Sequence, residues 1–205
     1  MTETHSFLEE PADTREIIMK ATYHALCEHG YADLTIQRIG DHFEKSKSLL
    51  YHHYDSKDEL LLDFLEFMLE HYKANIPRTD YDDAHAHLQA LLDHVFPDEL
   101  EAERRKFMAA MVELRAQAAH DDAYREHFTR SDSFFHDRIA EIVRMGIKEG
   151  VFRDIDPDRT AALLVTTITG AMTRRTTADG DVAIPAVRRE LQQYIESQLL
   201  TEVSQ

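Results

Sequence analysis

The sequence predicts an all-α protein, and three observations predict it. Apolar residues recur at helical spacing and nowhere alternate as in strands. The 205 residues include only 6 Gly and 5 Pro, too few for a sheet dense with turns. The breaks that do occur carry helix-capping residues. A hydrophobic fraction of 43% supports a proper core, so a disordered chain is not expected.

Asp13 followed by Glu16 is a variant capping box that opens a helix running to Gly30, with Ile18, Ala21 and Ala25 on one stripe. Gly30 suits the left-handed position after a helix. Thr35 can cap a short helix carrying Ile36, Ile39 and Phe43, and Ser46 can cap the next, with Leu49 and Leu50 inward. Ser56 and Glu59 form a full capping box for a helix reaching about Tyr72. After the break "NIPRTDYDD", helices are expected over 82–96 and 99–119, and Asp121 or Asp122 can cap a longer one ending at Gly150. Asp156 with Pro157 at the first helical position opens a helix to about Thr177. The segment "TADGDVAIP" reads as a loop before a last helix carrying Val187, Leu191, Tyr194, Ile195 and Leu199. The total is about nine helices, without internal repeats.

Composition narrows the partners. Asp and Glu number 39 against 23 Lys and Arg, for a formal net charge of -16. Such acidity fits a halophilic host or an ordinary acidic cytoplasmic protein. It argues against a membrane-surface protein and against nucleic acid over most of the surface. No apolar run approaches a bilayer span, and "MTETHSFLEEPA" has no apolar signal core, so a cytoplasmic location is expected. Against this background the segment 45–57 gathers Lys45, Lys47 and Lys57 with the adjacent His52 and His53. By themselves these cations read as a solvated helix face.

Their setting changes that reading. Residues 35–60, "TIQRIGDHFEKSKSLLYHHYDSKDEL", resemble the DNA-binding domain of the TetR family of transcriptional regulators. The matching positions are Thr35, Ile39-Gly40, Ser46-Lys47, Leu50-Tyr51-His52-His53-Tyr54, and Lys57 before Glu59-Leu60. "GIKEGVFRDIDPDRTAALLVTTITGAM" is similar, more weakly, to the link between the seventh and eighth helices of many such regulators. Where the family usually has a Gly and a small apolar residue in the turn, this chain has Glu44 and Lys45. A non-Gly residue in left-handed geometry costs about 1–2 kcal/mol, so either the turn shifts or packing absorbs the strain.

The resemblance implies a flexible tail over 1–12, a helix-turn-helix domain over 13–55, a connecting helix over 56–73, and a ligand-binding and dimerisation domain over 74–205. It places Lys47, Ser48, Leu49 and His52 at base edges, and Thr35, Ser46, Tyr51, His53 and Lys57 at phosphates. The chemistry suits those roles. A lysine can donate to guanine O6 and N7, and a leucine can touch a thymine methyl, while phosphate contacts position a domain without reading sequence. The resemblance also implies a small-molecule cavity, for which Phe67, Phe107, Met108, Met111, Phe128, Phe135 and Met172 are candidates. Adaptable Met and Phe side chains suit an apolar pocket, although the same residues equally make ordinary core. A homodimer interface is implied on the last two helices, with Leu163, Ile168, Val187, Leu191 and Ile195 as candidates.

The function so implied is that of a homodimeric transcriptional regulator, a repressor released from a palindromic double-stranded operator when a small molecule shifts the helix opened by Ser56. A ligand-independent activator or architectural DNA binder is the alternative. A helical-bundle metal enzyme is a further one, but its Glu-x-x-His pairs are absent. His85, His87, His94, His120, His127 and His136 make no compact ligand set by spacing, and no motif calls for a cofactor or for catalysis. If the host is halophilic, DNA affinity is expected to lean on base and apolar contacts, since counterion release yields little at high salt.

Overall fold

The computed structural model describes residues 11–75, 81–97, 100–178 and 184–201. Within them lie nine α-helices and no strands: α1 (Thr14–His29), α2 (Ile36–Asp41), α3 (Lys47–His53), α4 (Lys57–Ala74), α5 (Ala84–Val95), α6 (Ala102–Gln117), α7 (Asp122–Glu149), α8 (Pro157–Thr177) and α9 (Ile184–Tyr194). A π-helical turn, Ile195–Leu199, continues α9. The all-α expectation holds, with boundaries shifted by a few residues. Most of the loops expected at "NIPRTDYDD" and "TADGDVAIP" fall outside the described residues, as does most of the N-terminal tail.

Two compact units emerge. The first comprises Met1–Ile76 with Glu101–Phe128, the second Pro77–Leu100 with Thr129–Gln205. α6 and the first turns of α7 thus belong with the N-terminal helices.

In the first unit the expected caps form. Asp13 Oδ1 accepts from the Glu16 amide at 2.9 Å, and Glu16 reaches back to the Ala12 amide at 2.6 Å. Ser56 Oγ accepts from the Glu59 amide at 3.1 Å while Glu59 takes the Asp55 amide at 2.8 Å, so two otherwise orphaned donors are satisfied reciprocally. Thr35 accepts from the Arg38 amide at 3.1 Å. Ser46 departs from expectation: its hydroxyl makes no cap bond and instead meets Ser48 Oγ at 2.6 Å. Gly30 also differs in detail. Its φ is +66° but its ψ is 178°, so the chain leaves α1 extended rather than curled, although its amide still reaches Leu26 O at 2.9 Å.

The turn carrying Glu44 and Lys45 follows the short closing bonds His42 N–H to Ile39 O and Phe43 N–H to Gly40 O. Both residues are exposed, and the glycines described with positive φ lie elsewhere, at Gly30 and Gly150. The core of the unit is built on Ile18, Leu26, Ile39, Leu50, Leu60, Phe64 and, from α6, Leu114. Glu113 of α6 ties its helix to the loop after α1, accepting from the amides of Tyr31 at 2.7 Å and Ala32 at 3.3 Å.

The second unit packs α5, α8, α9 and the remainder of α7 around Leu88, Leu92, Ile142, Phe152, Leu164 and Ile195. Asp83 and Asp156 cap α5 and α8. The chain after α7 pairs with the chain end: Arg153 N–H reaches Leu199 O at 2.7 Å and Thr201 N–H reaches Val151 O at 3.0 Å. Gly146 allows this crossing. Its carbonyl accepts from both Val151 and Phe152, and a Cβ there would lie 2.1 Å from the Phe152 ring. The ring is itself only 2% exposed and has nowhere to go. Gly146→Ala is therefore expected to lower stability by about 1–3 kcal/mol, read as a lower urea midpoint at unchanged slope; an unshifted midpoint would refute the packing argument.

Candidate DNA-binding surface

α3 has seven residues, too few for a helix that persists without tertiary support. Its support is visible. Leu50 is fully buried and Tyr54, at the helix C-cap, nearly so. The Tyr54 hydroxyl donates to Asp63 Oδ2 on α4, and Asp63 Oδ1 receives Arg15 Nη2 of α1 at 2.6 Å. One carboxylate thus joins α1, α4 and the end of α3. Burial pushes the Asp63 carboxyl up, but the hydrogen bonds from Arg15 and Tyr54, with the charge of Arg15, hold it below its usual value.

So held, α3 presents Lys47, Ser48, Tyr51, His52 and His53 as exposed side chains, with Tyr51 57% exposed. Leu49 is half-buried and packs on the core, leaving only part of it exposed. Lys47 is engaged: its amine donates to Asp41 across the turn, and its methylenes lie over Gly40, where a Cβ would meet Lys47 Cγ at 3.0 Å. The Asp41 carboxyl is held below its usual value, chiefly by that bond. Both partners are exposed to solvent, which screens such a pair and leaves it a small barrier to redirecting Lys47.

Thr35 is exposed at the α2 N-cap and Ser46 at the α3 N-cap. Lys57 is half-buried; its amine donates to Tyr31 O at 3.3 Å and stands 4.1 Å from the Tyr31 ring centre. Lys45 reaches Thr14 Oγ1 at 2.9 Å. The bonds of Lys47 and Lys45 have no signature in the sequence, because partners six and 31 positions away share no helical period.

Of the proposed pocket residues, Phe67, Met108 and Phe128 are buried in the first unit, where Phe107 and Met111 are half-buried against its core. Phe135 and Met172 are half-buried in the second. Of the proposed interface residues, Leu191 and Ile195 lie in the intrachain core of the second unit, Ile168 and Val187 are half-buried against it, and Leu163 is 45% exposed. The histidines weighed from sequence stay dispersed in their roles: His87 stacks on Tyr81 with ring centres 4.3 Å apart, and His127 is buried with Nδ1 3.4 Å from Glu66. A different set does converge: Glu28, His29 and His42. Sequence spacing did not reveal it, because its members come from two helices.

Comparisons with known proteins agree with this architecture. Residues 18–64 match the family profile described as bacterial regulatory proteins of the tetR family, and residues 84–200 match that of the C-terminal region of BetI-type transcriptional repressors. A TetR transcription regulator from Haloarcula marismortui is 37% identical, with a TM-score of 0.80 over 90% of this chain and 97% of that one. A transcriptional regulator from Saccharomonospora viridis, solved in complex with choline, shares the fold at 22% identity, with a TM-score of 0.76 over 92% of this chain and 98% of that one. The repressor AcnR of Corynebacterium glutamicum is 21% identical over 170 residues, 82% of this chain and 85% of that protein. The match to AcnR of Corynebacterium efficiens, 30% identical, is confined to 54 residues, 26% of this chain and 29% of that protein.

The fold and the exposed α3 thus define a helix-turn-helix DNA-binding regulator of transcription. The chain belongs to the TetR family.

The Asp63 junction makes a pH prediction. A carboxyl whose folded pKa lies below its unfolded value of about 3.9 adds stability that is present above that value and lost as pH falls through the folded one. Asp63→Asn is expected to cost about 1–2 kcal/mol at neutral pH and to flatten the fall in stability below about pH 4. Parallel denaturation midpoints for both proteins across that range would remove Asp63 from this role.

Proposed function

We propose that the protein is a homodimeric repressor that reads a two-fold symmetric operator with α3 and is released by a small-molecule effector. The observation that carries this reading is the α3 face itself. In a chain of net charge -16, a single short helix turns Lys47, Ser48, Tyr51, His52 and His53 outward while its apolar Leu50 is fully buried. Lys47, Ser48 and His52 take the base edges, with the exposed part of Leu49 beside them. Thr35, Ser46, Tyr51, His53 and Lys57 take the phosphates. Lys57 keeps its stem on Tyr31 and needs only to turn its amine outward.

Dimerisation is supported on α8. Ala162, Leu163, Thr166 and Gly170 are exposed, uncharged and spaced along one helical face. So neutral a stripe is unusual on so acidic a chain, and it suits a self-complementary two-fold contact. Leu163 sits within the stripe, whereas Leu191 and Ile195 serve it from beneath as core. The family setting supports an effector, and choline, bound by the Saccharomonospora relative, is a natural first compound to try. For release, an effector must bind the two states with affinities that differ by the coupling energy, typically about 1–3 kcal/mol.

Selection of bound fragments from a random duplex pool by purified protein tests the reading. Enrichment of a palindromic site is expected, with affinity for it reduced about 10–100-fold by Lys47→Ala or His52→Ala. Absence of any enriched sequence at low and high salt would refute operator recognition. A shallow dependence of affinity on salt is expected if base and apolar contacts dominate; a steep one would show a phosphate-dominated complex instead. Leu163→Arg is expected to convert dimer to monomer in light scattering and to weaken operator binding with it. A dimer unchanged in that variant would place the interface elsewhere.

A further inference from the structure

Away from the α3 face, the first unit holds a second convergence of titratable side chains. An open cleft of about 470 Å³ is lined by His24, Cys27 and Glu28 of α1, His42 at the end of α2, and Ala102, Glu103 and Lys106 of α6. At its edge a carboxylate oxygen of Glu28 and one ring nitrogen each of His29 and His42 lie within 4.8 Å of one another. Glu28 Oε2 is 3.1 Å from His42 Nε2, and Glu28 Oε1 is 3.9 Å from His29 Nε2. His24 stands beside them, its ring centre 6.2 Å from that of His42, but its Nδ1 faces Glu103 at 3.9 Å.

Two imidazoles and a carboxylate form a donor set that suits zinc and similar borderline divalent ions, and ill suits magnesium, which prefers oxygen alone. Their placement adds a second reason. Glu28 and His29 end α1, and His42 is the C-cap of α2. The last turn of a helix carries negative partial charge, which favours a cation nearby. We propose that Glu28, His29 and His42 bind one divalent transition-metal ion of the zinc class, with water completing the shell.

Ligands about 2.0–2.1 Å from zinc in a tetrahedral shell lie about 3.4 Å apart. The Glu28–His42 pair is already close to that spacing, and with all three donors within 4.8 Å the remaining separations have to close by no more than about 1.4 Å. The side chains have room to do so, being 59% exposed for Glu28, 22% for His29 and 27% for His42. The ion would staple the end of α1 to the end of α2, immediately before the turn that leads to α3. Occupancy would therefore bear on how firmly the reading helix is held.

The test uses the full chain, stripped with chelator and titrated with Zn²⁺ by calorimetry near neutral pH without DNA. One ion per chain is expected, with affinity at least ten-fold lower in His42→Ala and in His29→Gln and unchanged in His120→Ala, an exposed histidine elsewhere. Mg²⁺ should give no saturable binding. Circular dichroism of each variant separates loss of the site from loss of the fold, and Glu28→Gln, at an exposed position, should weaken binding with helicity intact. Zn²⁺ should also raise the thermal midpoint of the wild type and leave that of His42→Ala in place. No saturable Zn²⁺ binding, equal affinity in wild type and all three site variants, or displacement of Zn²⁺ by Mg²⁺ would each overturn the proposal. Because no DNA is present, failure here leaves operator recognition untouched, and failure of operator recognition leaves the metal site untouched.

Discussion

The carboxylate of Asp63 is the junction on which the DNA-binding surface depends. Helices of six and seven residues, such as α2 and α3, have too few internal bonds to persist alone, so their orientation is set entirely by what they are fastened to. Arg15 from α1 and Tyr54 from the end of α3 both converge on this one group in α4. With Leu50 driven into the core, the helix is held at one buried side chain and one hydrogen-bonded cap. Leu49 packs partly on the same core, and Ser48, Tyr51, His52 and His53 face outward.

Charge is distributed to the same end. A strongly acidic surface repels a polyanion over most of its area, and the lysines of residues 45–57 stand out against it. Those cations are tethered in the chain alone: Lys47 to Asp41, Lys57 to Tyr31, Lys45 to Thr14. Exposed tethers of this strength pre-position long side chains without storing much energy. They limit the rotamer freedom of those side chains.

The second unit solves a different problem. It has no helix as short as α2 or α3, and its closure relies on the chain end pairing beside Phe152. Gly146 gives that ring its place under the backbone, while Leu191 and Ile195 fill the core from the last helix. With the apolar residues of the last helix turned inward, the neutral face left outside is the one on α8.

Much of this was legible in the sequence because it is written in local chemistry. Asp13, Thr35, Ser56 and Asp156 mark helix starts through bonds to amides two or three residues away, and apolar period alone identified Ile18, Ile39 and Leu50 as core. The spacing across 35–60 sufficed to point to the family. Other features were decided only by the tertiary structure, because they join residues with no shared period. Ser46 turned its hydroxyl to that of Ser48 instead of to a free amide of the helix it begins. α6 joined the N-terminal helices through Leu114 and Glu113. Met and Phe residues that looked alike in sequence separated into buried and half-buried, as did the apolar residues of the last two helices. Glu28, His29 and His42 met only because two helix ends arrived at one place. Local hydrogen bonds are determined within a few residues of chain, whereas a meeting of side chains from different helices exists only once the core has set where those helices end.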